Sequence, residues 1–281
     1  MIDIKQGNSL DLINEIKNES LDLIVCDGPY GVTPFMWDKV GSIQEYNLNL
    51  IKIFTPKLKV GGSLYLFGKM DSLDFVDYRP FLKLVNRIIW YQPSRLGQGR
   101  QKWTNNYDTI HFLTKGTSNT FNLDDVRVPQ LVELAHRLRC ENVPSVKNGK
   151  FGKTKFNPLG KNPGDVWGDI KQLTYKSKEL ISREFLHTIQ KPEKLIERII
   201  LASSSRGGLV LDPFMGTGTT AIVCQKNDRN FIGFEMDQNL IDFAKKRLEK
   251  SIEKNNDIFT QNLENKEIKV VPLDKPVFHL F

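Results

Sequence analysis

The chain has 281 residues, 40% of them hydrophobic, which suffices for the core of one large α/β domain or of two small ones. A formal net charge of +7 and a pI of about 9.1 favour a polyanionic partner such as nucleic acid. The sequence has no apolar run as long as a membrane span, no signal-peptide pattern at its start and no C-x-x-C pair. We therefore expect a cytoplasmic protein with reduced cysteines, without a membrane segment or a metal cluster.

Strand and helix patterns alternate along most of the chain. The first residues predict a short strand, a turn at Gly7-Asn8 and a helix capped by Asn8 or Ser9. The later segments predict strands at 21–27, 61–68, 85–93, 107–116, 208–212 and 229–237, and one further strand in the C-terminal tail. They predict helices at 43–58, directly after the turn at 212–218, at 238–255 and at the end of the segment 182–204. This alternation predicts an α/β fold with a doubly wound, mostly parallel sheet.

The segment from Thr117 to Lys161 interrupts this pattern. It contains Pro129, Pro144 and Pro158, scattered basic residues and weak periodicity, so we interpret it as an insertion or a small subdomain. The predicted division of the chain is a first half-domain at 1–116, an insertion at 117–165, the second half of the same domain at 166–250, and a tail at 251–281.

A glycine-rich turn follows the buried strand in GLVLDPFMGTGTTA. Gly216 and Gly218 allow a ligand to approach the backbone closely, and the helix that follows offers free N–H groups. Glu235 ends the next strand, where a carboxylate can bind ribose hydroxyls. The spacing Gly216-x-Gly218-x-x-Ala221 also fits the dinucleotide fingerprint, so an NAD-dependent oxidoreductase is an alternative. Against it, too few residues follow Glu235 to supply the remaining units of a dinucleotide fold.

The apolar strand LDLIVC runs directly into Asp27-Gly28-Pro29-Tyr30, at the sheet edge where open α/β folds bind ligands. These groups suit methylation of an exocyclic amine, whose lone pair is delocalised into its base. The Asp27 carboxylate and the Gly28 carbonyl can accept hydrogen bonds from the amine and so free the lone pair, while Tyr30 can stack on the base. An isolated Asp-Gly-Pro-Tyr is also a common turn.

Several motifs, taken in this order, resemble the amino-methylating DNA methyltransferases that use S-adenosylmethionine, in the β-type permutation with the catalytic motif first. DGPY at 27–30 is similar to the family's Asp-Pro-Pro-Tyr, and DPFMGTGTT at 212–220 to its Phe-x-Gly-x-Gly cofactor turn. HTIQKPEKLIERII at 187–200 resembles its His-Pro-x-Gln-Lys-Pro segment, KNPGDVW at 161–167 a stretch of adenine-specific members, and GNSLDLI at 7–13 the segment beside the cofactor adenine.

The resemblance implies a Rossmann-like methyltransferase fold, S-adenosylmethionine as the cofactor and N6 of adenine in DNA as the methyl acceptor. Cytosine N4 is an alternative, because the acid of Asp-x-Pro-Tyr separates the two classes imperfectly. The catalytic residues implied are Asp27, Gly28, Pro29 and Tyr30. The cofactor contacts implied are Asn8, Ser9, His187, Gln190, Lys191, Asp212, Phe214, Gly216, Gly218, Thr219, Glu235 and Met236.

The chain departs from the family pattern at two positions, where Gly28 and Thr188 each replace a proline. The Gly28 carbonyl remains as an acceptor, so we expect an active enzyme whose activity Gly28→Pro would keep or raise. A catalytically inactive DNA-binding module is the alternative that Gly28 leaves open.

The family implies a target base flipped out of DNA, duplex or single-stranded. The insertion has a run of lysines without an acid, which favours phosphate contact, and the loop SRLGQGRQKW is also basic. The predicted DNA contacts are Arg95, Arg100, Lys147, Lys150, Lys153 and Lys155. A homodimer and a cognate restriction endonuclease are further partners that the resemblance implies.

Overall fold

The computed structural model describes residues 1–31, 38–69, 71–95, 101, 103–130, 144–147, 150–153, 157–174, 177, 179 and 190–264. For 144–147, 150–153 and 252–264 it describes only the course of the backbone. The strands in these residues are β1 Ile2–Gln6, β2 Leu21–Cys26, β3 Leu58–Gly68, β4 Lys83–Tyr91, β5 Tyr107–Thr114, β6 Pro144–Lys147, β7 Lys150–Lys153, β8 Val166–Trp167, β9 Leu209–Asp212 and β10 Asn230–Glu235. The α-helices are α1 Ser9–Leu12, α2 Ile43–Phe54, α3 Glu193–Ser203, α4 Thr219–Lys226 and α5 Gln238–Glu264.

Eight of these strands form one sheet in the order β1-β10-β9-β2-β3-β5-β4-β8. The pairs from β1 to β3 are all parallel, whereas β5 runs antiparallel to both β3 and β4. The predicted doubly wound, mostly parallel sheet is therefore confirmed, with an antiparallel portion at one side.

The centre of the sheet is buried on both faces, as parallel strands require. One face packs Leu23 and Val25 of β2 against α3, α4 and α5, and the other packs Ile24 and Cys26 against α1 and α2. Buried apolar residues therefore occupy consecutive positions along β2, which explains the continuous hydrophobic run in its sequence.

Local signals set the starts of three helices, and the first of them was predicted. Asn8 caps α1, since its side chain accepts a hydrogen bond of 2.9 Å from the Leu10 backbone N–H. Ser42 caps α2 in the same way by accepting from Glu45. Pro192 stands at the start of α3, where its missing N–H costs no helical hydrogen bond.

Two positions of the segment predicted to be an insertion are joined by backbone pairing. Val128 and Lys161 form an antiparallel bridge, with backbone hydrogen bonds of 3.0 and 2.8 Å. Gly160 passes this bridge with φ of +105°, and a Cβ there would lie 2.3 Å from the Val128 carbonyl oxygen. We call this bridge the neck of the insertion.

The structure contains strands that the sequence analysis missed. β6 and β7 form an antiparallel hairpin within the insertion, with Lys147 directly opposite Lys150. β8 has two residues and pairs parallel with the end of β4, within the KNPGDVW stretch. The strand expected in the C-terminal tail lies outside the described residues.

Two further expectations from the sequence can be compared with the structure. Cys26 and Cys224 are buried free thiols, as predicted, and Cys140 lies outside the described residues. In the part of the chain that the structure describes, no helix is both long enough and apolar enough to cross a membrane.

The packing of α3 generates a stability prediction. Ile199 is fully buried against the sheet, whereas Lys194 on the same helix is exposed. We expect Ile199→Ala to lower the free energy of unfolding by about 2–5 kcal/mol, because the lost contacts leave a cavity. Lys194→Ala is the control and should change it by less than about 0.5 kcal/mol. Urea unfolding measures both, and equal effects of the two substitutions would contradict the packing described.

Candidate active site

The predicted catalytic and cofactor turns meet because β2 and β9 are parallel neighbours in register, with Ile24 opposite Leu211. Both strands therefore end at the same edge of the sheet, where Asp27-Gly28-Pro29-Tyr30 and the turn after Asp212 lie side by side. Gly28 lies against the Phe214 ring: a Cβ added at Gly28 would lie 3.0 Å from Phe214 Cε2. The two motifs form one site.

At the catalytic turn, three side chains contact one another. The Lys191 ammonium donates hydrogen bonds to Asp27 Oδ2 at 2.6 Å and to the Tyr30 hydroxyl at 3.2 Å. The Tyr30 hydroxyl in turn donates a short hydrogen bond to Asp27 Oδ1. The ammonium also lies 5.4 Å from the centre of the Tyr30 ring and 5.5 Å from that of Phe67, within the range of cation–π attraction. Both oxygens of Asp27 thus have partners inside the protein.

The surroundings fix the chemical state and the position of Tyr30. Burial, together with the negative charge of Asp27, raises the pKa of the Tyr30 phenol well above its ordinary value, so the hydroxyl is a neutral donor. Asp38, which is almost fully buried, accepts from the backbone N–H groups of Tyr30 at 2.6 Å and of Gly31 at 2.9 Å. These two hydrogen bonds hold the backbone directly after Pro29.

The cofactor turn is built around the buried side chain of Asp212. Its Oδ1 accepts from the Phe214 backbone N–H at 3.0 Å and its Oδ2 from the Thr220 hydroxyl at 2.5 Å. Burial raises the pKa of Asp212 to about 7. Because folding raises this pKa, the group contributes stability below its unfolded pKa and loses that contribution as the pH rises through about 7.

The glycines of this turn leave room for a ligand. Gly216 has φ of +50°, and a Cβ there would meet no atom within 4 Å, so its backbone faces open space. Gly218 has φ of +78°, and a Cβ there would lie 2.7 Å from Ala244 Cβ on α5. Gly216 therefore has the open space that ligand approach would require, whereas Gly218 is a position of close helix packing.

Glu235 stands beside this open space at the end of β10. Its Oε2 accepts from the Gly216 N–H at 3.0 Å, and its Oε1 accepts from the N–H groups of Met236 and Asp237 at 2.8 and 2.9 Å. A carboxylate has about four acceptor positions. By this count one position remains, on Oε2, for a ligand hydroxyl. The arrangement fits a nucleoside ribose, and the exposed Met236 side chain adds an apolar surface next to it.

The structure brings other predicted cofactor residues to the same place. The Ser9 hydroxyl donates a short hydrogen bond to the Pro213 carbonyl, which ties the start of α1 to the cofactor turn. Thr219 begins α4, and its hydroxyl accepts from Arg247 at 3.3 Å. Gln190 donates to the Glu179 carbonyl at 2.8 Å. His187 lies outside the described residues, and the roles of all these side chains toward a cofactor stay predictions.

The predicted DNA contacts divide between two regions. Arg95 lies at the same sheet edge, where its guanidinium donates to both oxygens of buried Asp108 at 2.8 and 2.9 Å and to the Tyr107 carbonyl at 3.0 Å. It is therefore held by the protein as well as placed near the site. The hairpin of the insertion contains Lys147, Lys150 and Lys153. Arg100 and Lys155 lie outside the described residues.

Three residues of the site were missed by the sequence analysis. Asp38 holds the catalytic turn, Phe67 forms part of the wall beside Lys191, and Asp108 positions Arg95. Phe67 ends a predicted strand and could have been placed at this edge by its position. Asp38 and Asp108 carry no local signal, because their partners become neighbours only in the folded chain.

Comparison with known proteins agrees with this geometry. The N6/N4 methyltransferase family, described as DNA methylase, matches residues 21–246. The type II methyltransferase M1.MboII of Moraxella bovis is 35% identical over 248 residues, covering 86% of this chain and 94% of the relative. The DNA adenine methyltransferase YhdJ of Escherichia coli strain K12 is 31% identical over 256 residues, covering 88% of this chain and 82% of the relative.

Among solved structures, the complex of M1.HpyAVI with SAM aligns with a TM-score of 0.54 at 20% identity, covering 88% of this chain and 100% of that one, and so shares the fold. The family match overlies the catalytic turn, the cofactor turn and Glu235, which leaves the oxidoreductase alternative without support. The predictions of a DNA amino-methyltransferase and of S-adenosylmethionine as its cofactor are confirmed at the level of the family. The chain belongs to the N6/N4 family of DNA methyltransferases.

Proposed function

We propose that this enzyme transfers the methyl group of S-adenosylmethionine to N6 of adenine in DNA, with Asp27 as an acceptor for the target amine. The observation that carries the proposal is the side-by-side placement of Asp27-Gly28-Pro29-Tyr30 and the open glycine turn on β2 and β9. One of its relatives is named a DNA adenine methyltransferase, which supports the choice of adenine. Cytosine N4 is the competing acceptor, because the family includes both amines.

The chain's own residues supply alignment and hydrogen-bond acceptors. When bound, the cofactor provides an electrophilic sulfonium methyl group. The Asp27 carboxylate and the Gly28 carbonyl accept hydrogen bonds from the two N–H groups of the target amine, and this localises the nitrogen lone pair for attack on the methyl group. Tyr30 stacks on the flipped base, and Asp38 keeps its backbone fixed through two hydrogen bonds. Glu235 accepts from a ribose hydroxyl of the cofactor.

DNA is the macromolecular partner, and the insertion is proposed to contact it. Lys147 and Lys150 stand directly opposite each other in the hairpin. Like charges at such positions destabilise an antiparallel pair unless an anion lies between or near them. DNA phosphates would provide that anion. A cognate restriction endonuclease is a further proposed partner, because several relatives are named type II methyltransferases. The proposed homodimer rests only on the family resemblance of the sequence.

The function is tested by incubating the protein with labelled S-adenosylmethionine and unmethylated DNA, followed by digestion to nucleosides. We expect label in N6-methyladenine.

Asp27→Ala should still bind cofactor and DNA but transfer methyl about a hundredfold or more slowly, since it loses a group aimed at the reacting amine. The exposed Asp77→Ala is the control and should remain active. Label in N4-methylcytosine would select the other acceptor, and near-normal turnover by Asp27→Ala would refute its role.

The contact between Gly28 and Phe214 revises the expectation that a proline at position 28 would be harmless. A Cβ there would lie 3.0 and 3.2 Å from two atoms of the Phe214 ring, so proline requires this ring to shift by a few tenths of an ångström. We expect Gly28→Pro to weaken binding of S-adenosylhomocysteine and to lower activity. Adding Phe214→Leu should recover part of the loss, because it removes the crowded atoms. Calorimetry and turnover measure both variants; higher activity in Gly28→Pro alone would contradict this account.

Salt dependence tests the role of the hairpin. Each lysine bound to a phosphate contributes about 0.9 to the slope of log K against log salt. Lys150→Gln combined with Lys153→Gln should therefore flatten the slope by up to about 1.8 and weaken binding equally on all DNA sequences. The exposed pair Lys17 and Lys52, changed to glutamine in the same way, is the control. Fluorescence anisotropy with labelled duplexes gives the slopes, and equal slopes in both double variants would exclude the hairpin.

A further inference from the structure

The catalytic carboxylate is already neutralised in the protein without ligands. Lys191 lies 2.6 Å from Asp27 Oδ2, and Tyr30 occupies Oδ1. A carboxylate paired with an ammonium attracts an amine hydrogen less strongly than a free one, since the cation offsets its field. The target amine therefore meets a competitor at Asp27, and Tyr30 must give up its hydrogen bond to Asp27 if its ring is to shift and stack on a base.

Lys191 cannot leave this position without another anion. It is 6% exposed, and its ammonium lies between the rings of Tyr30 and Phe67. Removing the partner of a buried charge is strongly unfavourable, because the remaining charge stays desolvated. An exchange of partners is favourable only if a second carboxylate comes within reach of the ammonium.

The cofactor of the proposed reaction gives a reason for this exchange and also carries the second carboxylate. A sulfonium brought next to the target amine would place a second cation close to Asp27, where it and the ammonium repel each other. The same cofactor carries an amino-acid carboxylate. Resting on the proposed function, we propose that Lys191 is a positioning residue shared between two carboxylates, that of Asp27 in the ligand-free protein and that of the bound cofactor.

The exchange has a consequence for the order of events. While Lys191 remains on Asp27, the pair carries no net charge and both Asp27 oxygens are occupied, so the target amine finds no free acceptor there. Once the cofactor carboxylate takes the ammonium, Asp27 recovers its full negative charge beside the sulfonium and can accept the amine. Lys191 thus makes capture of the base depend on the presence of the methyl donor, which prevents the enzyme from holding a flipped base that it cannot methylate.

A double-mutant cycle on cofactor binding tests the exchange without measuring catalysis. The probe is S-adenosylhomocysteine, which has the amino-acid carboxylate but no sulfonium charge, and calorimetry gives its affinity. Asp27→Asn should tighten binding about fivefold or more, the lower range of typical coupling, because Lys191 is then free for the probe. In a Lys191→Met background, Asp27→Asn should have no effect. 5′-Methylthioadenosine, which lacks the amino-acid carboxylate, should bind equally to the wild type and to Asp27→Asn.

The controls separate this inference from the proposed function. Lys59 forms a more exposed ion pair with Asp22 at 2.8 Å, at the other end of β2, and Lys59→Met should leave all affinities unchanged. Unchanged or weaker binding of S-adenosylhomocysteine to folded Asp27→Asn would overturn the exchange while leaving the cofactor site intact. A wild type that binds neither probe would overturn the proposed function itself.

A spectroscopic measurement addresses the resting contact directly. In ¹⁵N-lysine-labelled protein, a buried and hydrogen-bonded ammonium exchanges its protons slowly enough to be observed, unlike one in water. We expect one such signal to disappear in Lys191→Met, to shift in Asp27→Asn, and to shift again when S-adenosylhomocysteine is added to the wild type. A Lys191 signal that is insensitive to Asp27→Asn would show that the pair does not form.

Discussion

The parallel pairing of β2 with β9 is the constraint on which the site depends. Leu23 and Ile24 stand opposite Val210 and Leu211, so two segments far apart in the sequence end together at one sheet edge. All four residues are fully buried, and a change of register would exchange the side chains packed on the two faces and displace one turn relative to the other. The hydrophobic burial that stabilises the domain thereby also fixes the distance between the catalytic and cofactor turns.

Electrostatics at this edge are dominated by carboxylates, and the protein stabilises each of them differently. Burial raises the pKa of Asp212 to about 7, and both of its oxygens accept hydrogen bonds within the turn. The Glu235 carboxylate accepts hydrogen bonds from three backbone N–H groups, and the Asp27 carboxylate forms an ion pair with the Lys191 ammonium. A cationic ligand therefore enters a region whose negative charges are oriented in advance, so little reorganisation is needed when charge shifts during transfer.

The sequence was sufficient where the signal was local. Periodicity located the central strands and the main helices, and of the two residues predicted as the cap of α1, Asn8 or Ser9, the structure has Asn8. β8 was not predicted, because a strand of two residues is too short to show an alternating pattern. The β6–β7 hairpin was also missed, although Asn148-Gly149 between Lys147 and Lys150 is a strong hairpin dipeptide. The antiparallel direction of β5 and the contact of Lys191 with Asp27 are properties of the folded chain, and a single sequence does not encode them in any short pattern.

The neck of the insertion also shapes how this domain can diverge. Because Val128 and Lys161 are hydrogen-bonded to each other, the two ends of the intervening chain are held next to one another. The entropic cost of closing a flexible loop between fixed ends rises only with the logarithm of its length, by about 0.6 kcal/mol for each doubling. Segments of very different length and sequence can therefore be exchanged above the neck at little cost to the stability of the catalytic sheet.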